Sequence, residues 1–248
     1  MDPRIRERRV AVLRDAGRRR LRMVLVALGL AGAVAVAFGL TRSPVFDVDE
    51  VRVLGAAKTT PTQIEEAGGL AGGPQLADVK PAVVAARLAR LPWILEAKVV
   101  RHWPGTVEVT VVERTPLATL PSAAGGWALV DETGRVLEGT PEPAPGMVQI
   151  NAAGAPKAGQ HVPAATLGAI GVLGALPPSL AERVNGLTVS EEGMIDVHAV
   201  GLPIIHFGPP TAVRPKLVAL TTLVARTNLQ GVKAIDVRVP TAPVLTRA

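Results

Sequence analysis

The rhythm of apolar and polar positions changes several times along the chain. Met23 to Leu40 reads MVLVALGLAGAVAVAFGL, with no charged residue, and is bracketed by Arg22 and Arg42. At about 1.5 Å per residue such a run reaches roughly 27 Å, close to the thickness of a bilayer's hydrocarbon core. A buried helix of a water-soluble protein shows a polar stripe; this run shows none, so the pattern predicts a transmembrane helix over 23–40. Ala35-Val36-Ala37 resembles a small-x-small cleavage site, which keeps a cleaved signal peptide open as the rival. The long basic region before the run, and its continuation through Phe38 and Leu40, favour an uncleaved anchor.

From Pro44 the period shortens. Val51 and Val53 flank Arg52, the alternation of a half-buried strand that Gly55 ends. Thr60-Pro61-Thr62-Gln63 carries the marks of a helix start: Thr at the N-cap, Pro in the first turn and Gln three residues on, as in a capping box. A second helix is predicted from Pro81 to Leu91, where Val84, Leu88 and Leu91 recur at helical spacing before Pro92. Ile94 to Arg101 reads as a strand. Trp103-Pro104-Gly105-Thr106 reads as a hairpin turn with Pro and Gly in type II positions. Val107, Val109 and Val111 mark a further strand. The order is strand, helix, helix, strand, strand.

A second module is predicted over 120–240. Trp127 to Leu137 reads as a hairpin whose turn is Asp131–Gly134. An apolar helix follows at about 164–176, then strands near 186–189, 195–200 and 203–207. Leu217, Leu220 and Val224 share one face of an amphipathic helix beginning near Pro215. Ile235, Val237 and Val239 alternate with Asp236 and Arg238, predicting a last strand that runs through Val239. The fold class expected is α+β, with a mixed β-sheet and helices in the C-terminal module.

Charge changes the picture once. Arg4, Arg6, Arg8, Arg9, Arg14, Arg18, Arg19, Arg20 and Arg22, set against Asp2, Glu7 and Asp15, account for the whole net charge of +6. The rest of the chain is balanced, which argues against a nucleic-acid surface. A basic tail beside an apolar run is the positive-inside signature, so 1–22 is expected in the cytoplasm and the remainder outside it. Only three Trp, three Phe and no Tyr are present, so Val, Leu, Ile and Ala must build the cores. With no Cys, disulfides, thiolate catalysis and Cys-based zinc sites are excluded.

Candidate chemistry is sparse. No Gly-x-Ser-x-Gly or Walker-type loop is present, and none of Ser43, Ser122, Ser179 or Ser190 has a Lys three residues on. His102, His161, His198 and His206 show no metal-ligand spacing, although His198 and His206 could face each other across a hairpin. No catalytic residue, cofactor or metal is expected. A membrane-anchored cell-wall enzyme would need a convergent acid pair or nucleophile that the sequence does not offer.

FDVDEVRVLGA, LPWILEAKVVRHWPGTVEVTVVER and Thr115-Pro116-Leu117-Ala118, placed directly after a single span, resemble the POTRA domain of the FtsQ/DivIB family of bacterial division proteins. The run from strand through Trp103-Pro104-Gly105-Thr106 to Glu113-Arg114-Thr115-Pro116 is its most specific part. The Asp131–Gly134 hairpin, and the run from a Gly-Pro loop through a Lys-Leu helix to Ile235-Asp236-Val237-Arg238, are similar to that family's second domain. The resemblance implies a layout of cytoplasmic tail 1–22, transmembrane helix 23–40, POTRA domain 44–115, β-rich domain 120–240, and a strand end or tail at 241–248. It implies a non-catalytic scaffold of the division septum in the inner membrane that recruits other membrane division proteins and helps regulate septal peptidoglycan synthesis. A POTRA-bearing envelope-transport component is the alternative, for which further POTRA repeats or a barrel would be expected.

The implied partners are FtsB/DivIC- and FtsL-type membrane-anchored coiled-coil proteins, received by the last strand and the helix before it. Carried over by position, the resemblance points to Arg238, Val239, Thr241 and Ala242, with Lys216 and Leu220 on the supporting helix. Arg238 would suit an acidic side chain through a charge-assisted hydrogen bond. The chain departs from the family where an aromatic is expected and Val239 stands, and Pro240 and Pro243 interrupt the candidate strand, each lacking a donor. Strand addition is therefore expected to be short, or shifted toward Ile235–Val239.

Overall fold

The protein is described by a computed structural model over residues 22–36, 38–39, 42 and 44–247. Of the expected tail at 1–22, residues 1–21 lie outside the described residues. Of the expected span 23–40, 23–36 and 38–39 are helical and 37 and 40 lie outside the described residues. Among the described residues no helix is long and apolar enough to cross a membrane.

Beyond Pro44 the chain builds two sheets. The first holds β1 (Glu50–Leu54), β2 (Ile94–His102) and β3 (Thr106–Glu113) in the order β1-β3-β2, with β1 parallel to β3 and β2 antiparallel to it. The helices α1 (Pro61–Gly68) and α2 (Pro81–Leu88) precede β2 in the chain. Ile64, Val84 and Leu88 close a core with Ile94, Val107 and Val109. Alternation on β3 does this directly, because its odd positions face the helices. Thr60 caps α1 in the reciprocal manner its sequence predicts: its side chain accepts from the Gln63 N–H, and the Gln63 side chain accepts from its own.

Two local expectations change. α2 ends at Leu88 rather than Leu91, because the chain tightens into a turn in which the Leu91 N–H reaches the Leu88 carbonyl at 2.9 Å just before Pro92. The 103–105 turn is not type II: the Trp103–Pro104 peptide is cis, and Gly105 does not take the positive φ that a type II turn requires.

The second sheet has nine strands: β4 (Pro116–Pro121), β5 (Trp127–Asp131), β6 (Val136–Thr140), β7 (Val148–Asn151), β8 (Val184–Val189), β9 (Ile195–Ala199), β10 (Ile204–Gly208), β11 (Val232–Asp236) and β12 (Val244–Arg247). Their order is β12-β11-β10-β9-β8-β7-β4-β5-β6. The helices are α3 (Ala164–Gly174), the short α4 (Pro178–Ala181) and α5 (Val213–Arg226). α5 is the crossover that parallel strands β10 and β11 require. Register lines up Ile150, Leu187, Val197, Ile205, Ile235 and Leu245 across six strands, and this row packs in one apolar cluster with Ile170, Leu217 and Leu220. The neighbouring row, on the opposite face, is Asn151, Thr188, Asp196, His206, Asp236 and Val244. One face buries apolar side chains and the other carries polar ones, as the two-residue period dictates.

The two sheets are joined where β3 runs into β4. The Glu113 carboxylate accepts the backbone N–H groups of Ala57, Lys58 and Thr59, closing the loop before α1. The next residue faces the other sheet: the Arg114 guanidinium donates to Asp131 at 2.6 Å and to the Ile94 carbonyl at 3.2 Å. Asp131 also accepts the Thr133 and Arg135 N–H groups at 2.9 Å each, so one carboxylate both shapes the β5–β6 turn and fastens the sheets together. Arg135 donates to the Arg90 carbonyl, and Trp93 donates to Glu138 across the same junction.

A candidate partner-docking edge

The last strand does not run through Val239. β11 stops at Asp236 because the Asp236 carboxylate turns the backbone, accepting the Arg238 N–H at 2.9 Å. Val237 remains buried, its N–H reaching the His206 carbonyl at 3.0 Å, but Val239 faces solvent. The Ala242 N–H closes on the Val239 carbonyl at 3.1 Å, so 237–243 is a loop. Pro240 and Pro243 sit in this loop, where a missing donor costs nothing, rather than in a strand. The chain then returns as β12, antiparallel to β11, with Asp236 opposite Val244 and Ile235 opposite Leu245. Strand addition at 235–239 is therefore corrected: β12 already occupies that edge of β11 and is itself the end of the sheet.

Four of the residues expected at the interface, Arg238, Val239, Thr241 and Ala242, lie together on this exposed loop. The other two are core. Leu220 is in the apolar cluster under the sheet, and Lys216 is 1% exposed. The Lys216 ammonium donates to the Pro209 carbonyl at 2.7 Å and lies 5.0 Å from the centre of the Phe207 ring. Burial pushes its pKa down, and Asp236 partly offsets the shift. Lys216 thus pins the 208–210 turn to α5.

Arg238 is shaped by two neighbours. Its Nε lies 2.9 Å from an Asp236 oxygen, and this pairing holds the Asp236 carboxyl below the usual carboxylate range against the opposing effect of burial. Its aliphatic stem crosses Gly208, where a Cβ would stand 2.7 Å from the Arg238 Cγ; Gly208 also has φ 74°, which a side chain disfavours. The stem packs against this glycine while the Arg238 side chain as a whole stays 55% exposed. Val239 and Val244 flank it, 57% and 56% exposed.

Sequence reasoning gave 241–248 only as a strand end or tail; the chain forms β12 there, a separate four-residue strand after two prolines, with no pattern long enough to fix its pairing. That reasoning missed the polar face. His206 Nδ1 lies 2.8 Å from Asp196, and His198 Nε2 lies 3.0 Å from the Thr188 hydroxyl, so the two histidines pair with separate strand neighbours and not with each other. Among the described residues, no group of three or more His, Asp and Glu is placed to hold a metal ion.

Comparison with known proteins fits this geometry. The model for "POTRA domain, FtsQ-type" matches residues 46–114, and that for "Cell division protein FtsQ/DivIB, C-terminal" matches residues 118–238. A Streptomyces collinus protein named Cell division protein FtsQ is 32% identical over 241 residues, covering 93% of this chain and 90% of the relative. Its Streptomyces bingchenggensis namesake is 32% identical over 95% of this chain and 89% of the relative, and that of Corynebacterium glutamicum is 26% identical over 74% and 81%. With family models matching 46–114 and 118–238 and the Streptomyces relatives covered to about nine tenths, the chain belongs to the FtsQ/DivIB family of cell division proteins.

Proposed function

We propose that the chain is a single-pass inner-membrane scaffold of the division septum, without catalysis of its own. Its layout is a cytoplasmic tail (1–22), an anchor (23–40), a POTRA domain (44–115), a β-rich domain (120–240) and a closing strand within 241–248. The scaffold receives a membrane-anchored partner of the FtsB/DivIC or FtsL type at the β12 edge, and through it influences septal peptidoglycan synthesis. The observation that carries the reading is the edge itself: a short terminal strand beside a loop that presents an Arg238 stem packed on Gly208, an exposed guanidinium and two exposed valines. An unpaired strand edge accepts an extended segment through its main chain, and a flanking cation selects an acidic one.

The test is to image the chain, fused through its N-terminus to a fluorescent protein, while the host's own copy is depleted. A midcell band together with division arrest on depletion is the expected result. Uniform membrane fluorescence with normal division would sink the reading.

A further inference from the structure

Aromatic side chains are scarce here, and two of the six, Phe46 and Trp103, meet edge to face with ring centres 5.6 Å apart. Trp103 is at the tip of the β2–β3 hairpin and is 54% exposed. An indole has an apolar body and a polar N–H, so an exposed one suits a boundary between water and an apolar phase. The hairpin tip is pressed onto the segment that follows the apolar run. The Asp49 and Glu50 N–H groups reach the Gly105 carbonyl, and a Cβ on Gly105 would stand 2.7 Å from the Asp47 carbonyl oxygen. The same segment is tied down elsewhere: the Leu76 N–H donates to the Phe46 carbonyl, Gln75 Nε2 donates to the Arg42 carbonyl at 2.9 Å, and Arg42 pairs with Asp78 at 3.2 Å. Residue 46 follows the end of the apolar run by so few residues that extended chain between them spans at most about 20 Å. Val45, beside Phe46, is 65% exposed.

The geometry points to the Trp103 hairpin tip as a lipid-interface contact, its indole seated with Val45 in the headgroup layer of the bilayer that holds the anchor. This rests on the anchor reading above. Trp prefers that layer because its body is apolar and its N–H is polar. Charge does not drive the contact, since Arg42 and Arg101 are offset by Asp47, Asp49 and Asp78 around the same end of the domain. The contact is therefore made to zwitterionic lipid as readily as to anionic lipid. It adds a second foothold to the anchor and sets the height and tilt at which the first sheet stands over the membrane.

The experiment uses the full chain reconstituted in phosphatidylcholine vesicles, with and without bromine on the upper acyl carbons, comparing wild type with Trp103→Phe. Expected is a loss in the brominated vesicles of roughly a third of wild-type emission, one indole of three, with little loss for Trp103→Phe, and no change when anionic lipid is added. Should Trp103→Phe misfold, Trp93→Phe combined with Trp127→Phe leaves Trp103 as the sole reporter in an otherwise native tip. Equal quenching of wild type and Trp103→Phe, in protein that floats with vesicles after an alkaline wash, overturns the lipid contact while the anchor stands. Failure of both chains to float overturns the anchor, and the contact with it.

Discussion

Among the described residues, two Arg–Asp pairs have nearly the same contact geometry and opposite surroundings. Arg114 meets Asp131 at 2.6 Å with side chains 13% and 4% exposed; Arg238 meets Asp236 at 2.5 Å with side chains 55% and 22% exposed. The first pair joins residues 17 apart, from the link between the sheets to a strand of the second sheet, and the second joins residues two apart, from the end of β11 to the loop after it. Distance alone would rank them equal. Burial and connectivity separate them: the first is a fastener whose loss strands a buried charge, and the second is a local brace around a cation that still faces water. A pair that costs little to open is one that a partner's carboxylate can replace.

The sharpest way to break the comparison is Asp131→Ala. It removes the mate of Arg114 and leaves the Thr133 and Arg135 N–H groups without their acceptor. A loss of about 3–5 kcal/mol is expected, the usual result of breaking a buried pair from one side. Chemical denaturation of residues 44–248 measures it. Because the carboxylate fastens one sheet to the other, the unfolding transition should also split into two. A single transition with a loss no larger than that of a surface substitution would mean that the junction rests on Trp93–Glu138 and Arg135–Arg90 instead.

Acid gives a second, smaller handle on the same junction. Burial works to raise the Asp131 carboxyl, but hydrogen bonds from Thr133, Arg114 and Arg135 outweigh it and leave its pKa below the ordinary value. Glu113 is lowered likewise, by the N–H groups of Thr59, Lys58 and Ala57 acting against burial. Groups depressed in the folded state stabilise it fully above their unfolded pKa values, roughly 4, and lose that contribution as pH falls through the lower folded values. Stability should thus be flat in these groups near neutrality and fall below about pH 4. In Asp131→Asn the fall should be shallower, by the share that Asp131 carried. An unchanged slope would remove Asp131 from the account.

Much of the framework was legible because it is written locally. Thr60 and Gln63 cap α1 from within four residues, the valines at 107, 109 and 111 all turn inward, and Leu217 and Leu220 lie under the sheet as helical spacing requires. The site was harder to read. The alternation of Ile235, Val237 and Val239 continues past the point where the strand stops, since one side chain-to-backbone hydrogen bond from Asp236 outweighs a favourable apolar pattern. Lys216, expected on the helix supporting the interface, is buried although lysine seldom is; only the folded chain brings the Pro209 carbonyl to its ammonium. Arg114 stands inside the most family-specific motif, yet its mate Asp131, in the second sheet, carries no sequence mark of the pairing.

The smallest effect on stability is expected from Arg238→Glu, and it discriminates most between the two pairs. The side chain is exposed, its pairing with Asp236 is local, and the backbone turn is held by the Asp236 carboxylate accepting the residue 238 N–H, which any side chain leaves in place. The melting temperature should therefore stay essentially that of wild type. Recognition should not survive, because the reversed charge sits beside Asp236 and would meet an acidic partner segment with repulsion from two carboxylates instead of attraction to one guanidinium. Co-purification of an FtsB/DivIC-type partner with the full chain, compared between wild type and Arg238→Glu, reads this directly. Arg238→Lys should retain part of the binding, keeping the charge but losing the planar fork. Full binding by Arg238→Glu at unchanged stability would make the guanidinium a bystander and shift recognition onto the β12 main chain and the exposed Val239 and Val244.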